Sequence, residues 1–292
     1  MLDWRREKAH WPFSNVSQFP VVDGQRWHVQ MLGQGPELLL VHGAGASSHT
    51  WRGLMPLLAP SFRVIALDLP GHGFSASPRD ARGLSLPAMA NALASVVRHL
   101  GLSPALAVGH SAGAAILAHM GLHHAFRPAR LVSLNGALLP LHGWRGLLFA
   151  PLARLSARGR LLARLYAWRA QDRAAVERVI RSTGSNLDAE GVRLYQVLAG
   201  DADHVAATLN MMAQWDLEPL ARRLPTLPVP LVLVSAHGDT AVPPADAVAV
   251  HARVKDSQLI EFDRGGHLVH EERPELVGDL LQALGHQAGL IP

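Results

Sequence analysis

The sequence predicts an α/β fold: a mainly parallel, doubly wound sheet interrupted by a helical insertion. Three observations predict it. Short continuous apolar runs alternate with helix-like stretches, one such run ends in a glycine-flanked serine that opens a helix, and the alternation stops after Asn135 and resumes at Leu231. Unbroken β-rich runs suit strands covered on both faces, and strand–helix alternation is the pattern of a parallel sheet.

Six runs read as strands. Glu37–His42, Phe62–Asp68, Ala105–His110, Arg130–Asn135, Leu231–Ser235 and Gln258–Phe262 are each short, apolar and bounded by turn residues. Leu86–Leu100 carries apolar residues at helical spacing, follows Leu84-Ser85 and meets Gly101 as a stop signal. Ala112–Leu122 follows Ser111 directly, and Pro274–Leu284 closes the chain as a helix. From about Leu138 to Leu224 no strand pattern is found, only Leu/Ala/Arg-rich helical segments. The domain reading is therefore a core of residues 1–137 and 228–292, split by a helical cap over 138–227.

Composition narrows the function classes. The chain has 292 residues, 49% hydrophobic, which is enough for a sizeable core. Its +4 net charge lacks the concentrated basic patch on a recognised motif that nucleic-acid binding shows. With no cysteine, disulfides, thiolate catalysis and cysteine-ligated metals are excluded. Met1–Lys8 lacks the apolar core of a signal peptide, and no stretch of about 18 apolar residues is present. The expectation is a cytoplasmic protein, at most peripheral to a membrane. No cluster of carboxylates at ligand spacing supports a metal, and no cofactor is expected.

The chemistry centres on Gly109-His110-Ser111-Ala112-Gly113. Between a strand and a helix, G-x-S-x-G permits a sharp turn that presents a serine hydroxyl at the carboxyl end of the sheet, beside a helix N-terminus. A serine needs a base to take its proton. His267, in Arg264-Gly265-Gly266-His267-Leu268, follows the last strand, and two glycines let its loop fold over the serine. His270 and His251 are the rivals. The base needs a carboxylate to fix its tautomer, and Asp239 follows the strand Leu231–Ser235, with Asp263 and Asp246 as alternatives. The order Ser111, Asp239, His267 is the order expected of a serine nucleophile on such a sheet. The oxyanion would be held by the backbone N–H groups of Ala112 and of Ala44, in His42-Gly43-Ala44-Gly45-Ala46. His42 itself reads as a structural hydrogen-bonder.

With these pieces in place the chain resembles the α/β-hydrolase superfamily over residues ~20–137 and ~228–286, through His42–Gly45, Asp68–Ser75, Gly109–Gly113, Gly238-Asp239 and Gly266-His267. The resemblance implies that Asp68–Ser75 is a structural turn. More narrowly, Trp27–Gln30, His42–Ala46, Thr50–Arg52, Leu69–Phe74 and Val108–Ile116 resemble the magnesium-chelatase accessory proteins of bacteriochlorophyll biosynthesis. That resemblance implies a photosynthetic bacterium and a role near magnesium insertion into protoporphyrin, with chelatase subunits as partners.

The insertion adds one feature. His142–Arg181 holds nine arginines (145, 154, 158, 160, 164, 169, 173, 178 and 181) against Asp172 and Glu177, interleaved with Trp144, Leu147, Leu148, Phe149, Tyr166 and Trp168. It reads as an amphipathic lid with solvated arginines, as a pocket wall offering arginines to an anionic tetrapyrrole-like substrate, or as a basic surface for anionic lipid. Two functions follow. One is a serine hydrolase acting on an ester; the other is a non-catalytic accessory or carrier protein that binds a porphyrin or the chelatase. Serine where epoxide hydrolases and dehalogenases need a carboxylate argues against their chemistry.

Overall fold

A computed structural model describes residues 1–140 and 159–292. Its sheet has eight strands: β1 Ser17–Gln18, β2 Val29–Leu32, β3 Glu37–Val41, β4 Arg63–Leu67, β5 Leu106–His110, β6 Arg130–Leu134, β7 Leu231–Ala236 and β8 Ser257–Phe262. They lie in the order β1-β2-β4-β3-β5-β6-β7-β8. From β4 to β8 every pairing is parallel, while β1 and β2 are antiparallel additions at one edge.

All six strands expected from sequence are present, within a residue or two of their expected ends. The two antiparallel edge strands were not expected. β2 contains Gln30, a polar residue with no exposure, and its side-chain N–H groups are satisfied by the carbonyls of Pro12 and Phe13 and the Ser17 hydroxyl at 2.7–3.3 Å. Tertiary partners, not local pattern, satisfy these donors, while Oε1 has no partner among the described residues.

Side chains alternate strictly between the two faces, as the pleat requires. Leu38, Leu40, Val64, Ala66, Val108, Val132 and Val234 pack on one face with Phe62, Leu281 and Leu284. Leu39, Val41, Ile65, Leu67, Ala107, Leu131 and Leu233 pack on the other with Leu93, Ile116 and Leu117. Burying a side chain of this size stabilises by about 1.5–3 kcal/mol, so both faces are strongly specified. Helices α1 (Leu86–His99) and α2 (Ala112–His123) serve the second face, and α9 (Pro274–Gln287) the first. Gly101, at φ 63°, ends the turn after α1.

Between β6 and β7 the described residues form helices and no strand: α3 (Gly159–Arg169), α4 (Arg173–Ser182), α5 (Ala189–Ala199), α6 (Ala202–Ala213) and α7 (Glu218–Arg223). Asp172, Asp188 and Asp201 cap α4, α5 and α6 by accepting backbone N–H bonds in the first turn. Helix α4 buries Val176 and Ile180, and turns Arg173, Arg178 and Arg181 to solvent. Arg164 and Arg169 on α3 are exposed as well. Arg145, Arg154, Arg158, Trp144, Leu147, Leu148 and Phe149 lie outside the described residues. Helix α8 (Pro244–His251) connects β7 to β8.

Candidate active site

Ser111 stands alone between β5 and α2, at φ 51° and ψ −118°. A non-glycine residue there costs about 1–3 kcal/mol and persists only when its surroundings fix it. They do. Its N–H donates to the Leu134 carbonyl at 3.1 Å, and its own carbonyl accepts from Ala114 and Ala137 at 3.2 and 3.1 Å. The flanking glycines are required by space. A Cβ on Gly113 would lie 2.2 Å from the Val41 carbonyl oxygen, and one on Gly109 would lie 2.4 Å from the Ala114 nitrogen. Gly43 approaches from the other side, since a Cβ on it would lie 2.9 Å from the Ser111 Cβ.

His267 and Asp239 meet. Nδ1 of His267 is 2.7 Å from Oδ2 of Asp239, and both residues are buried. The other carboxylate oxygen, Oδ1, accepts the backbone N–H groups of Ala241 and Val242 at 2.7 and 2.9 Å. Both carboxylate oxygens are therefore occupied, and the ring has one orientation that keeps its bond.

The loop carrying His267 is held on several sides. Its N–H donates to the Thr183 carbonyl at 3.2 Å, and the same carbonyl accepts from Thr240 in the Asp239 loop at 3.3 Å. Its carbonyl accepts from Nε2 of His110 at 2.9 Å and from Nδ2 of Asn135 at 3.0 Å. Burial, with His270 and His267 nearby, holds the His110 pKa well below the ordinary value, so this ring is a neutral Nε2–H donor. Three glycines let the backbones meet here: a Cβ on Gly184 would lie 1.8 Å from the Gly238 carbonyl oxygen, and one on Gly266 would lie 2.2 Å from the Gly184 backbone. Thr183, His110 and Asn135 were not singled out from sequence. Asn135 ends a strand pattern and His110 sits inside the serine motif, so neither carries a separate local signal.

Ser111, His267, His110 and Ala44 line one cavity of about 390 Å³. Its other walls come largely from the helices between β6 and β7: Val176 and Ile180 of α4, Ala199 of α5, Val205, Thr208 and Leu209 of α6, and Arg169 at the end of α3. Ala112 is buried at the first position of α2, next to Ser111. The structure thus brings Ser111, His267 and Ala44 to one cavity, with Asp239 behind His267.

The rivals stand elsewhere. His270 is buried with Nε2 2.7 Å from the Thr50 hydroxyl, and burial pushes its pKa down to about 3. His251 bonds Ser257 on the surface. Asp246 lies in α8. His42 donates from Nδ1 to the Gly43 carbonyl at 2.7 Å and accepts the Leu69 N–H at Nε2, which fixes the loop carrying Ala44. Asp68 binds His28 at 2.8 Å and accepts the N–H groups of Ser48 and Phe74, so its role is in the turn. Among the described residues, no group of three or more His, Asp or Glu could hold a metal ion, and no helix is long and apolar enough to cross a membrane.

A sheet of this topology, with a serine elbow after β5 and an Asp–His pair after β7 and β8, defines a class. The chain belongs to the alpha/beta hydrolase fold family, whose family model matches residues 36–274. Among curated relatives it is similar to the magnesium-chelatase 30 kDa subunit of Rhodobacter capsulatus, with 38% identity over 92% of this chain and 94% of the relative. Among solved structures, an alpha/beta hydrolase fold protein from Burkholderia ambifaria superposes with a TM-score of 0.76 at 25% identity, covering 92% of this chain and 97% of that one. The epoxide hydrolase CorEH shares the fold, with a TM-score of 0.79 at 22% identity over 93% of this chain and 98% of its own.

Proposed function

We propose that this protein is a serine hydrolase acting on an ester bond of an apolar substrate, in association with magnesium insertion in bacteriochlorophyll biosynthesis. The observation that carries the reading is the buried 2.7 Å bond between His267 and Asp239, set at the cavity that Ser111 lines. Residues 138–227 act as a cap on the core of 1–137 and 228–292, and their described helices supply most of the substrate's apolar surroundings. Serine at the elbow, in place of a carboxylate, separates this chemistry from that of epoxide hydrolases despite the shared fold.

The steps follow from the residues. The Ser111 hydroxyl attacks the ester carbonyl while Nε2 of His267 takes its proton. Asp239 keeps the other ring proton on Nδ1 and stabilises the imidazolium. The N–H groups of Ala44 and Ala112 hold the oxyanion, each such donor being worth about 3–4 kcal/mol in comparable sites. Collapse expels the alcohol, which leaves with the proton from His267. Water, activated by the same base, then releases the acid and restores Ser111.

A second reading is favoured by one observation, the extended similarity to a chelatase subunit. Here the chain is an accessory or carrier protein for the chelatase. Arg169 at the cavity would meet an anionic, tetrapyrrole-like ligand, and the exposed Leu165, Trp168 and neighbouring arginines of α3 and α4 would touch a membrane peripherally. One experiment separates the two. A fluorophosphonate probe is expected to label the wild type and not Ser111→Ala. Absence of Ser111-dependent labelling refutes the hydrolase reading; labelling combined with a variant that fully sustains magnesium insertion favours the accessory role.

A further inference from the structure

The geometry points to Asn135 as a positioning residue that sets the acid loop and the base loop against each other through a single amide. This inference rests on the hydrolase reading, because its consequence is the alignment of His267 with Asp239.

Asn135 is 3% exposed and follows the end of β6, two positions from the Ala137 N–H that fixes Ser111. Its Nδ2 donates to the carbonyls of Gly266 and His267, both at 3.0 Å. Its Oδ1 accepts the N–H of Ala236 at 2.9 Å. Ala236 ends β7, and its carbonyl accepts the N–H of Asp239 at 3.0 Å. One side chain therefore grips the backbone of the base on one side and the start of the acid's loop on the other. Its own N–H is anchored to Val234 at 2.8 Å.

Two features single out asparagine. Its side chain must donate and accept at once, which Asp and Leu cannot do. Its backbone sits at φ 45°, where asparagine is tolerated and most side chains are strained. Both peptide carbonyls it meets are in the loop that carries His267. Losing Nδ2 leaves the Gly266 carbonyl without that donor, while the His267 carbonyl keeps His110. The expected result is a shift of the imidazole relative to Asp239, not the loss of either group. A misplacement of about 1 Å in such a constellation costs roughly a hundredfold in rate.

The test uses the full-length protein and a fluorophosphonate probe, measured as the maximal inactivation rate and the probe's half-saturation concentration. Asn135→Gly removes the side chain and keeps the positive φ. Asn135→Asp keeps the acceptor for Ala236 and removes both donors. Each is expected to lower the maximal rate by about ten- to a hundredfold, with half-saturation within about twofold. A purely structural role would lower the melting temperature and leave the maximal rate of the folded variant within twofold of wild type.

A maximal rate within twofold of wild type in a folded Asn135→Gly overturns the inference. If Asn135→Gly fails to fold, Asn135→Asp decides on rate alone, and a twofold or smaller change overturns it. A wild-type protein that takes no label at Ser111 overturns the hydrolase reading itself, and the role given to Asn135 with it.

Discussion

Replacing Asp239 with asparagine exchanges one oxygen for an NH2 group, and the surroundings dictate which oxygen. Oδ1 accepts two backbone N–H groups, from Ala241 at 2.7 Å and Val242 at 2.9 Å, while among the described residues Oδ2 pairs with His267. Turning the amide nitrogen toward the two N–H groups would leave both donors unpaired in a buried site, at about 1–3 kcal/mol each. The carbonyl oxygen therefore stays with Ala241 and Val242, and the NH2 faces Nδ1 of His267. Two donors cannot face each other, so His267 must carry its proton on Nε2. That tautomer has no lone pair on the side that serves Ser111. The imidazolium also loses its carboxylate. Together these losses should lower the fluorophosphonate inactivation efficiency by about 10³–10⁴-fold, or roughly 4–5.5 kcal/mol. The melting temperature should move by only a few degrees, since both bonds to the acid loop survive. A loss smaller than about tenfold in a folded Asp239→Asn would refute the tautomer argument and the assignment of Asp239.

Two further predictions concern stability. Gly113→Ala places a Cβ 2.2 Å from the Val41 carbonyl oxygen and 2.7 Å from that of His42, both main-chain atoms of β3 and its exit. It should cost about 3 kcal/mol or more in urea unfolding and abolish labelling of Ser111; near-wild-type stability would show that α2 can shift away from β3. The buried histidines predict acid sensitivity. Burial pushes His204 down to about 4 and His270 to about 3, from an ordinary value of 6.5. Below 6.5 the unfolded chain binds protons that the folded chain refuses, so their contribution is fully present above 6.5 and is lost as pH falls toward 4. The slope is about 1.4 kcal/mol per pH unit for each such histidine. Urea midpoints that stay flat from pH 7 to 5 would refute it.

Much of this was legible in the sequence because it is written in local pattern. Apolar runs marked six strands, five of them buried because a strand covered on both faces has no polar side to display; β8, at the sheet edge, exposes Gln258 and Glu261. G-x-S-x-G after such a run marked the elbow, because only glycine tolerates the approach of Val41 on one side and Ala114 on the other. The order of Ser111, Asp239 and His267 could be read from strand ends alone. The edge strand β2 could not, because the donors of Gln30 find residues 12–17 only in the fold, and the residue reads as a surface position in the sequence.

What only the tertiary structure decided is how three distant loops are held together. Seventeen histidines are present, and sequence ranks His267 first without showing what fixes it. The fold supplies the Thr183 carbonyl, shared between the Asp239 and His267 loops, the neutral His110 and the amide of Asn135. Those contacts join residues more than a hundred positions apart in the case of Asn135 and His267. They depend on distances between strand ends, and no spacing along the chain encodes them. The sequence by itself determined the parallel sheet, the position of the serine elbow and the order of the candidate groups. The structure decided that Asp239 and His267 bond, that Ser111 shares a cavity with His267, and that helices inserted between β6 and β7 wall it, because each depends on packing across the sheet.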